Sequence, residues 1–180
     1  MIGVLVSGKG TNLQALIDAG LPIVAVASSR PGARALDRAR AADIPVRTFD
    51  AARFATRDER DEALAHWLLE RRCELAVLAG YMHVLRPRFF EVFGHQVVNT
   101  HSAPLPEFPG AHPIEDVLAA GVAETAATVH WVDEGVDTGA VIRRESVAVV
   151  PGDTAASLRV RVQAVEHRLL PEVVRELIAA

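Results

Sequence analysis

Short apolar runs alternate with segments of helical periodicity along the first half of the chain. Apolar residues are nearly continuous over 2–7, 21–28, 46–49 and 75–79, which predicts strands buried on both faces. Between these runs, apolar residues recur three and four positions apart, which predicts helices from about residue 11, over 33–42, over 58–72 and over 87–93. Residues 50–57 are predicted to form a loop. Strands that alternate with helices in this way predict a parallel sheet.

After residue 110 the pattern changes. Residues 112–120 are predicted to be a helix, and the strands over 125–132 and 140–150 are predicted to pair antiparallel. A final helix is predicted to begin after a cap at Asp153 or Thr154 and to run to about residue 178. The predicted fold is therefore α/β, with a mostly parallel twisted sheet flanked by helices, a C-terminal antiparallel strand pair and a long final helix.

Composition narrows the class of protein. At 180 residues the chain is long enough for a single domain with a substantial core. The formal net charge of −4 argues against a nucleic-acid-binding domain that works through bulk positive charge. The single cysteine, Cys73, excludes an internal disulfide and is predicted to be buried and inert. Because the chain begins with a strand pattern and shows neither a leader segment nor a long apolar run, we expect a cytoplasmic protein without membrane or nucleic-acid partners.

An amide and an imidazole stand two residues apart after a short apolar run. Asn99 and His101 follow Val97 and Val98, and a loop with prolines at 104, 106 and 109 comes next. Residues two apart on an extended segment point to the same side, so both side chains can face one reacting group if the strand continues through residue 101. An amide stabilises a developing oxyanion, and an imidazole transfers a proton near neutral pH. The alternative is a pair of solvated loop residues.

Three carboxylates crowd the predicted turn over 133–139, at Asp133, Glu134 and Asp137. A carboxylate close to His101 would raise the pKa of that imidazole and let it act as an acid at neutral pH. The sequence does not choose which of the three faces His101, and a solvated turn is the alternative.

A glycine-rich turn joins the first predicted strand to the first predicted helix. Gly8-Lys9-Gly10 precedes a helix that begins near Thr11, an arrangement that can hold a phosphate on backbone N–H groups. The turn does not match a P-loop, because Gly10 stands where Ser or Thr is required, and Leu13 breaks the dinucleotide-binding pattern. Polar side chains in the turn add further donors, at Ser7, Lys9, Thr11 and Asn12. The alternative is a plain tight turn.

Three candidate segments, Gly8–Asn12, Gly80–His83 and Asn99–His101, each follow a predicted strand. Parallel α/β sheets bind ligands beyond the carboxyl ends of their strands. We therefore expect all three segments to contribute to ligand binding.

Glu166 lies on the apolar side of the last predicted helix, between Val173 and Leu177 in helical projection. An ionised carboxylate there needs a partner, so Glu166 either forms an internal ion pair or binds a donor on a ligand. The histidines show no metal-ligand spacing, and no metal is predicted. His112 and His130 are weaker candidates for a supporting position beside the site.

Together these motifs resemble the folate-dependent phosphoribosylglycinamide formyltransferases of purine synthesis. The resemblance covers nearly the whole chain and rests on residues 4–15, 78–82, 99–101 with the following 105–110, 133–139 and 163–167. It implies a formyltransferase-type fold, 10-formyltetrahydrofolate as co-substrate, and transfer of its formyl group to the amine of phosphoribosylglycinamide. It further implies a phosphate-binding half over about 1–98 and a catalytic and folate-binding half over about 99–180.

The resemblance also implies roles for single residues. The catalytic group would be Asn99, His101 and Asp137. Phosphoribosylglycinamide would be bound by Gly10, Thr11, Asn12, Gln163, Ala164, Val165 and Glu166. Folate would be bound by Arg57, Met82, His83, Val84, Leu85, Asn99, Asp133, Glu134, Gly135, Val136 and Asp137. The expected partners are these small molecules, and the chain would act as a monomer or a homodimer.

The chain departs from the family at two places near these residues. The family usually follows its histidine with Pro-Ser-Leu-Leu-Pro, whereas this chain has Ser102-Ala103-Pro104-Leu105-Pro106, and the commonly basic position 83 is His83. Another enzyme of the same fold, a formyltetrahydrofolate hydrolase or a tRNA formyltransferase domain, is the first alternative. The second is a non-catalytic nucleotide- or folate-binding module.

Overall fold

The computed structural model describes residues 1–179, which contain seven strands, six α-helices and one 3₁₀ turn. Contacts divide these residues into a first unit, residues 1–98, and a second unit that begins at Asn99. None of the helices in the described part of the chain is long and apolar enough to cross a membrane.

Strands and helices alternate throughout the first unit. They are β1 (Ile2–Val6), α1 (Thr11–Asp18), β2 (Ile23–Ser28), α2 (Arg34–Ala41), β3 (Val46–Thr48), the 3₁₀ turn (Ala51–Arg53), α3 (Arg57–Glu70), β4 (Leu75–Leu78) and α4 (Pro87–Phe93). Strand β5 (Gln96–His101) begins in the first unit and ends in the second. The second unit continues with α5 (Pro113–Ala120), β6 (Glu124–Trp131), β7 (Val141–Ala148) and α6 (Ala155–Ala179).

The first-unit strands lie in the order β3-β2-β1-β4 and are all parallel. Ile2 of β1 pairs with Ile23 on one side and Leu75 on the other, so β1 is a central strand. Every residue of β1 and β4 is buried, which explains their continuous apolar sequence. The predicted parallel arrangement is confirmed for these strands.

Two of the predicted ligand segments meet at one edge of this sheet. Because β1 and β4 are parallel neighbours, the segments that follow them leave the sheet side by side. The backbone N–H of Met82 donates to the Ser7 hydroxyl at 2.9 Å, which ties the two segments together. Ser7 is buried and its hydroxyl also lies 2.6 Å from that of Ser29. The Ser7 hydroxyl, which the sequence predicts to be one of the donors of the glycine turn, therefore joins two loops.

Strand β5 continues through His101. Asn99 and His101 are therefore both strand residues, two positions apart, and their side chains leave the same face. The sequence analysis required the strand to continue through residue 101 for Asn99 and His101 to face one group, and this continuation is confirmed.

The second unit contains the predicted antiparallel pair. β6 and β7 pair with Glu124 opposite Ala148 and Thr128 opposite Arg144. Helix α6 packs on both strands and buries Leu158, Val162, Leu169 and Val173, as its apolar periodicity predicts. The predicted α/β fold, with its antiparallel pair and long final helix, is confirmed.

The predicted loop over 50–57 contains a short 3₁₀ turn, and the helix after it begins one residue earlier than expected. Residues Ala51–Arg53 form a 3₁₀ turn capped by Asp50, whose carboxylate accepts from the backbone N–H of Ala52. Helix α3 begins at Arg57, because the Thr56 hydroxyl accepts from the backbone N–H of Glu59 at 3.1 Å. A Thr followed three residues later by Glu is a helix-start signature that the apolar pattern alone does not reveal.

A fully buried ion pair in α3 was not predicted. Arg60 and Asp61 have side chains 1% and 0% exposed, and two guanidinium nitrogens of Arg60 donate to Asp61 Oδ1 at 2.8 and 2.6 Å. Asp61 Oδ2 also accepts from the backbone N–H of Arg86, the residue that caps α4. Asp61 thus joins α3 to the end of the 80–86 segment.

We expect Asp61→Asn to destabilise the protein by about 3–5 kcal/mol, because it leaves the Arg60 charge buried without a counter-charge. Urea unfolding followed by circular dichroism measures the change. The matched control is Asp58→Asn, since Asp58 pairs with Arg86 at 2.6 Å with both side chains about half exposed. Its loss should cost about 1 kcal/mol or less. Equal losses in the two variants would contradict a dominant role for the buried pair.

Candidate active site

Asn99 is oriented by a histidine on the neighbouring part of the second unit. Its side-chain nitrogen lies 3.2 Å from His130 Nε2, and His130 Nδ1 lies 2.8 Å from the carbonyl oxygen of Trp131. A carbonyl only accepts, so Nδ1 carries the proton and Nε2 accepts from the Asn99 amide. Burial lowers the pKa of His130 below its usual value, which favours this neutral form. One N–H of Asn99 is therefore used, and the other stays available to a ligand oxygen.

His101 has the opposite arrangement of protons. Its Nε2 lies 2.7 Å from the carbonyl oxygen of Phe108 and must donate to it. Its Nδ1 is then the nitrogen that gains and loses a proton, and it lies 3.5 Å from Asp137 Oδ2. This separation is longer than an N–H···O hydrogen bond, so the Nδ1 position is not committed to Asp137.

Asp137 is the carboxylate that faces His101. Its side chain is 12% exposed, and its Oδ2 accepts from the backbone N–H of Gly110 at 2.9 Å. Its Oδ1 lies 3.6 Å from His130 Nε2, but the neutral His130 has no proton there, so this is proximity without an ion pair. The structure thus resolves the choice among the three acids that the sequence left open.

The other two acids of the turn have different surroundings. Asp133 Oδ1 accepts from the Gly135 N–H at 2.9 Å and from the Thr138 hydroxyl at 2.6 Å. The hydrogen bond from Thr138 is the main reason that the pKa of Asp133 is lowered. Asp133 therefore shapes the turn, whereas Glu134 is exposed.

The turn brings Asp137 into place through a strained backbone. Asp137 has φ 55°, a left-handed conformation that costs about 1 kcal/mol outside glycine and that Asp tolerates better than most residues. Gly139 is required nearby, because a Cβ there would lie 1.8 Å from the carbonyl oxygen of Trp131. These constraints fix the path of the backbone on which Asp137 stands.

The loop after His101 is held on several sides. The Thr128 hydroxyl donates to the Ala103 carbonyl at 2.7 Å, and Arg144 Nη1 donates to the Leu105 carbonyl at 3.3 Å. The hydrogen bond from the Gly110 N–H to Asp137 holds the C-terminal end of this loop. The Phe108 carbonyl that orients His101 therefore belongs to an anchored loop.

Glu166 is buried on α6, 3% exposed, as its position on the apolar stripe predicts. The Ser102 hydroxyl donates to Glu166 Oε1 at 2.7 Å. The hydroxyl of Ser102 thus gives the buried carboxylate a donor. Gln163, Ala164 and Val165 precede Glu166 on the same helix and are more exposed than it is.

The glycine turn of the first unit ends at the start of α1. Gly10 is the residue before the helix and has φ 73°, and a Cβ there would lie 2.5 Å from that of Ala35. Gly10 has no side chain with which to cap the helix, and the first turn, which includes Thr11 and Asn12, follows it directly. The first backbone N–H groups of an α-helix have no acceptor within the helix itself. Such groups are suited to a phosphate.

The residues expected at folate are placed as follows. Arg57 is exposed at the start of α3. Met82 and Val84 are large apolar side chains that remain 64% and 52% exposed, whereas Leu85 is buried. His83 is half-buried, and burial followed by the charges of Arg60 and Arg57 lowers its pKa. Val136 of the second unit is also exposed, at 52%. Apolar side chains that remain this accessible are suited to an apolar ligand.

Three other residues show what sequence reasoning found and missed. Cys73 is buried as predicted, and burial raises the pKa of its thiol to about 11. His130 was only a weak candidate in the sequence analysis, although it orients Asn99. It lies on strand β6, and its local sequence gives no sign of a contact with a residue 31 positions earlier. His112 is exposed at the start of α5.

Comparison with known proteins places the chain in a family. The sequence profile of the formyl transferase family matches residues 1–174. The chain belongs to that family. Among its relatives, the phosphoribosylglycinamide formyltransferase of Mycobacterium tuberculosis (strain ATCC 25618 / H37Rv) is 40% identical over 97% of this chain and 83% of that protein.

Two further comparisons extend this result. The crystal structure of phosphoribosylglycinamide formyltransferase from Streptococcus pneumoniae TIGR4 has a TM-score of 0.94 and 39% identity, covering 98% of both chains. The trifunctional purine biosynthetic protein adenosine-3 of Drosophila melanogaster is 40% identical over 98% of this chain, which spans only 14% of that longer protein.

We expect nitrogen-15 NMR of the imidazoles near pH 7 to show a proton on Nδ1 of His130, and one on Nε2 of neutral His101. The pKa of His130 should lie below 6.5. Since the unfolded chain then binds a proton more readily than the folded one, stability contributed by His130 is present above about pH 6.5 and is lost as the pH falls through the lowered value. Urea unfolding at several pH values should show a smaller loss of stability on acidification in His130→Gln. A proton on Nε2 of neutral His130 would contradict the orientation given for Asn99.

Proposed function

We propose that this chain transfers the formyl group of 10-formyltetrahydrofolate to the amine of phosphoribosylglycinamide, a step of purine synthesis. The observation that carries the proposal is the group formed by Asn99, His101 and Asp137, in which a free amide N–H and an exchangeable imidazole nitrogen leave one face of β5. The names of relatives that match almost the whole chain support the same activity.

The proposed reaction is a direct transfer through a tetrahedral intermediate. The substrate amine attacks the formyl carbon, a new C–N bond forms, and the carbonyl oxygen becomes an oxyanion. The free N–H of Asn99 and the protonated Nδ1 of His101 stabilise that oxyanion. The bond from the carbon to the folate nitrogen then breaks, the amine loses one proton and the departing nitrogen gains one, so the reaction consumes no net proton.

Asp137 supports this chemistry as a fixed negative charge. At 3.5 Å from His101 Nδ1 it stabilises the imidazolium without holding its proton in a short hydrogen bond. Its bond to Gly110 keeps it in place while the charge on His101 changes. We propose that a water held by Asp137 carries the proton to the departing nitrogen.

Substrate binding is proposed separately for each unit. In the first, the turn over Gly10–Asn12 would bind the ribose phosphate, while Arg57 and the Met82–Leu85 segment would contact the folate. In the second, Glu166 would accept hydrogen bonds from the glycinamide end beside Gln163, Ala164 and Val165. The turn from Asp133 to Asp137, with Asn99, would border the folate ring.

The proposed activity is tested with purified protein, 10-formyltetrahydrofolate and phosphoribosylglycinamide, by following folate release in absorbance. Release that requires the amine is the expected result. Equal formate release without the amine would instead indicate a hydrolase, and ligand binding without turnover would indicate a binding module.

We expect Asn99→Ala and His101→Ala each to lower kcat by about 100- to 1000-fold, because each removes a donor to the oxyanion. Substrate affinity should change much less. The control is His66→Ala, since His66 is exposed on α3. Near-normal turnover in both variants would refute the assignment.

We expect Asp137→Asn to lower kcat by about 100-fold while leaving the fold intact. Asparagine tolerates the left-handed backbone and still accepts from Gly110, so only the charge beside His101 is lost. The matched control is Asp43→Asn, because Asp43 is exposed and has the same φ of 55°. If the two variants turn over equally fast, the charge of Asp137 has no part in the reaction.

A further inference from the structure

A cationic pocket lies in the first unit, between the loop after β1 and the loop after β2. It has a volume of about 370 Å³, and it is lined by three positively charged residues, Lys9, Arg30 and Arg34, together with residues 7–8 and 32–33. Gly10, Thr11 and Asn12 are not part of this lining, so the pocket offers a different set of donors from the proposed phosphate turn.

The three cations have no counter-charge. Among the residues that the structure describes, none of their side chains forms an ion pair or a hydrogen bond, and all three are exposed. Nearby arginines differ: Arg40 pairs with Asp37, and Arg38 donates to the Lys9 carbonyl and to Gln14. Like charges that line one pocket repel one another, and a bound anion would reduce that repulsion.

The position of Arg34 is a second indication that the pocket binds an anion. It is the first residue of the eight-residue helix α2, where the helix dipole disfavours a positive side chain. The first turn of that helix therefore places a cation and the positive helix end together at the pocket. An anion bound there would interact favourably with both.

The walls of the pocket are already in place. The Ala35 N–H donates to the Gly8 carbonyl at 3.1 Å, and Arg38 Nε donates to the Lys9 carbonyl at 2.9 Å. On the other loop, the Arg30 N–H donates to the Ser28 hydroxyl at 3.0 Å. Because the backbone is fixed on both sides, binding an anion requires ordering of the long side chains alone.

We propose that Lys9, Arg30 and Arg34 form a binding site for a phosphate monoester dianion. Three positively charged side chains suit a ligand with two negative charges. A guanidinium group can bind two phosphate oxygens at once through parallel hydrogen bonds. The ester is a phosphorylated metabolite other than the ribonucleotide substrate, because the proposed function places the substrate phosphate at Gly10–Asn12, outside this lining.

The test is titration of the full chain with ribose 5-phosphate and with inorganic phosphate, at about pH 8, where phosphate is dianionic. Calorimetry gives the affinity, and backbone amide NMR locates the ligand. The variants are Lys9→Gln, Arg30→Gln and Arg34→Gln, with Arg34→Lys to retain the charge. Arg53→Gln is the matched control, since Arg53 is exposed in the same unit and its loss changes the net charge equally.

We expect the amides of Gly8 and Gly32 to shift in the wild-type protein, and each Gln variant to bind about tenfold more weakly. Arg34→Lys should retain most of the affinity, and Arg53→Gln all of it. Added salt should weaken binding, because the three cations are exposed. Shifts confined to Thr11 and Asn12, or equal affinity in all variants, would overturn the proposal.

Kinetics then separates this site from the substrate site. Unchanged KM for phosphoribosylglycinamide together with weakened ribose 5-phosphate binding in Arg34→Gln is the expected result. A rise in that KM with unchanged kcat would show that the three cations bind the substrate phosphate and would overturn a separate site. Because the titration needs no turnover, a protein without the proposed activity would leave the result of the binding test intact.

Discussion

The position of the Asp137 carboxylate is the constraint on which the candidate site of the second unit depends. Its Oδ2 accepts from the Gly110 backbone and stands 3.5 Å from His101, and its Oδ1 stands near His130. The turn reaches this position only through a left-handed backbone at Asp137 and a glycine at 139 that tolerates close approach to the preceding strand. Strain of this kind persists where surrounding contacts determine the conformation, and here those contacts come from the loop that follows His101.

Backbone carbonyls set the chemistry of the two histidines. The Trp131 carbonyl fixes the proton of His130 on Nδ1, and the Phe108 carbonyl fixes that of His101 on Nε2. His130 is thereby an acceptor that orients the Asn99 amide, while the Nδ1 of His101 faces Asp137 at 3.5 Å. Two residues of the same type thus have different roles, because each faces a different backbone group. In the first unit the buried pair of Arg60 and Asp61 has a comparable structural role, since it ties α3 to the segment that carries Met82 and His83.

Local patterns were sufficient to predict most of the fold. Continuous apolar runs predicted the parallel strands because those strands are buried on both faces, and the period of the last helix placed Glu166 among buried residues before any partner for it was known. The errors have a common cause. Arg60 and Asp61 precede Leu64 by four and three residues, on its helix face, but charged residues are rarely buried, so the sequence pattern gives no sign of their burial. Ser7 was counted as a ligand donor because the sequence does not show that Ser29 and Met82 use its hydroxyl.

The sequence by itself determined the order of strands and helices, the pairing of Asn99 with His101 on one strand face, and the acidic turn that had to be considered with them. These follow from spacing along the chain, because backbone geometry fixes the direction in which neighbouring side chains point. Only the tertiary structure decided that Asp137 is the acid that faces His101, that His130 orients Asn99, and that three cations without partners in residues 1–179 line one pocket. Each of these depends on which groups distant in sequence come within a few ångströms of one another, and on which hydrogen bonds are already taken.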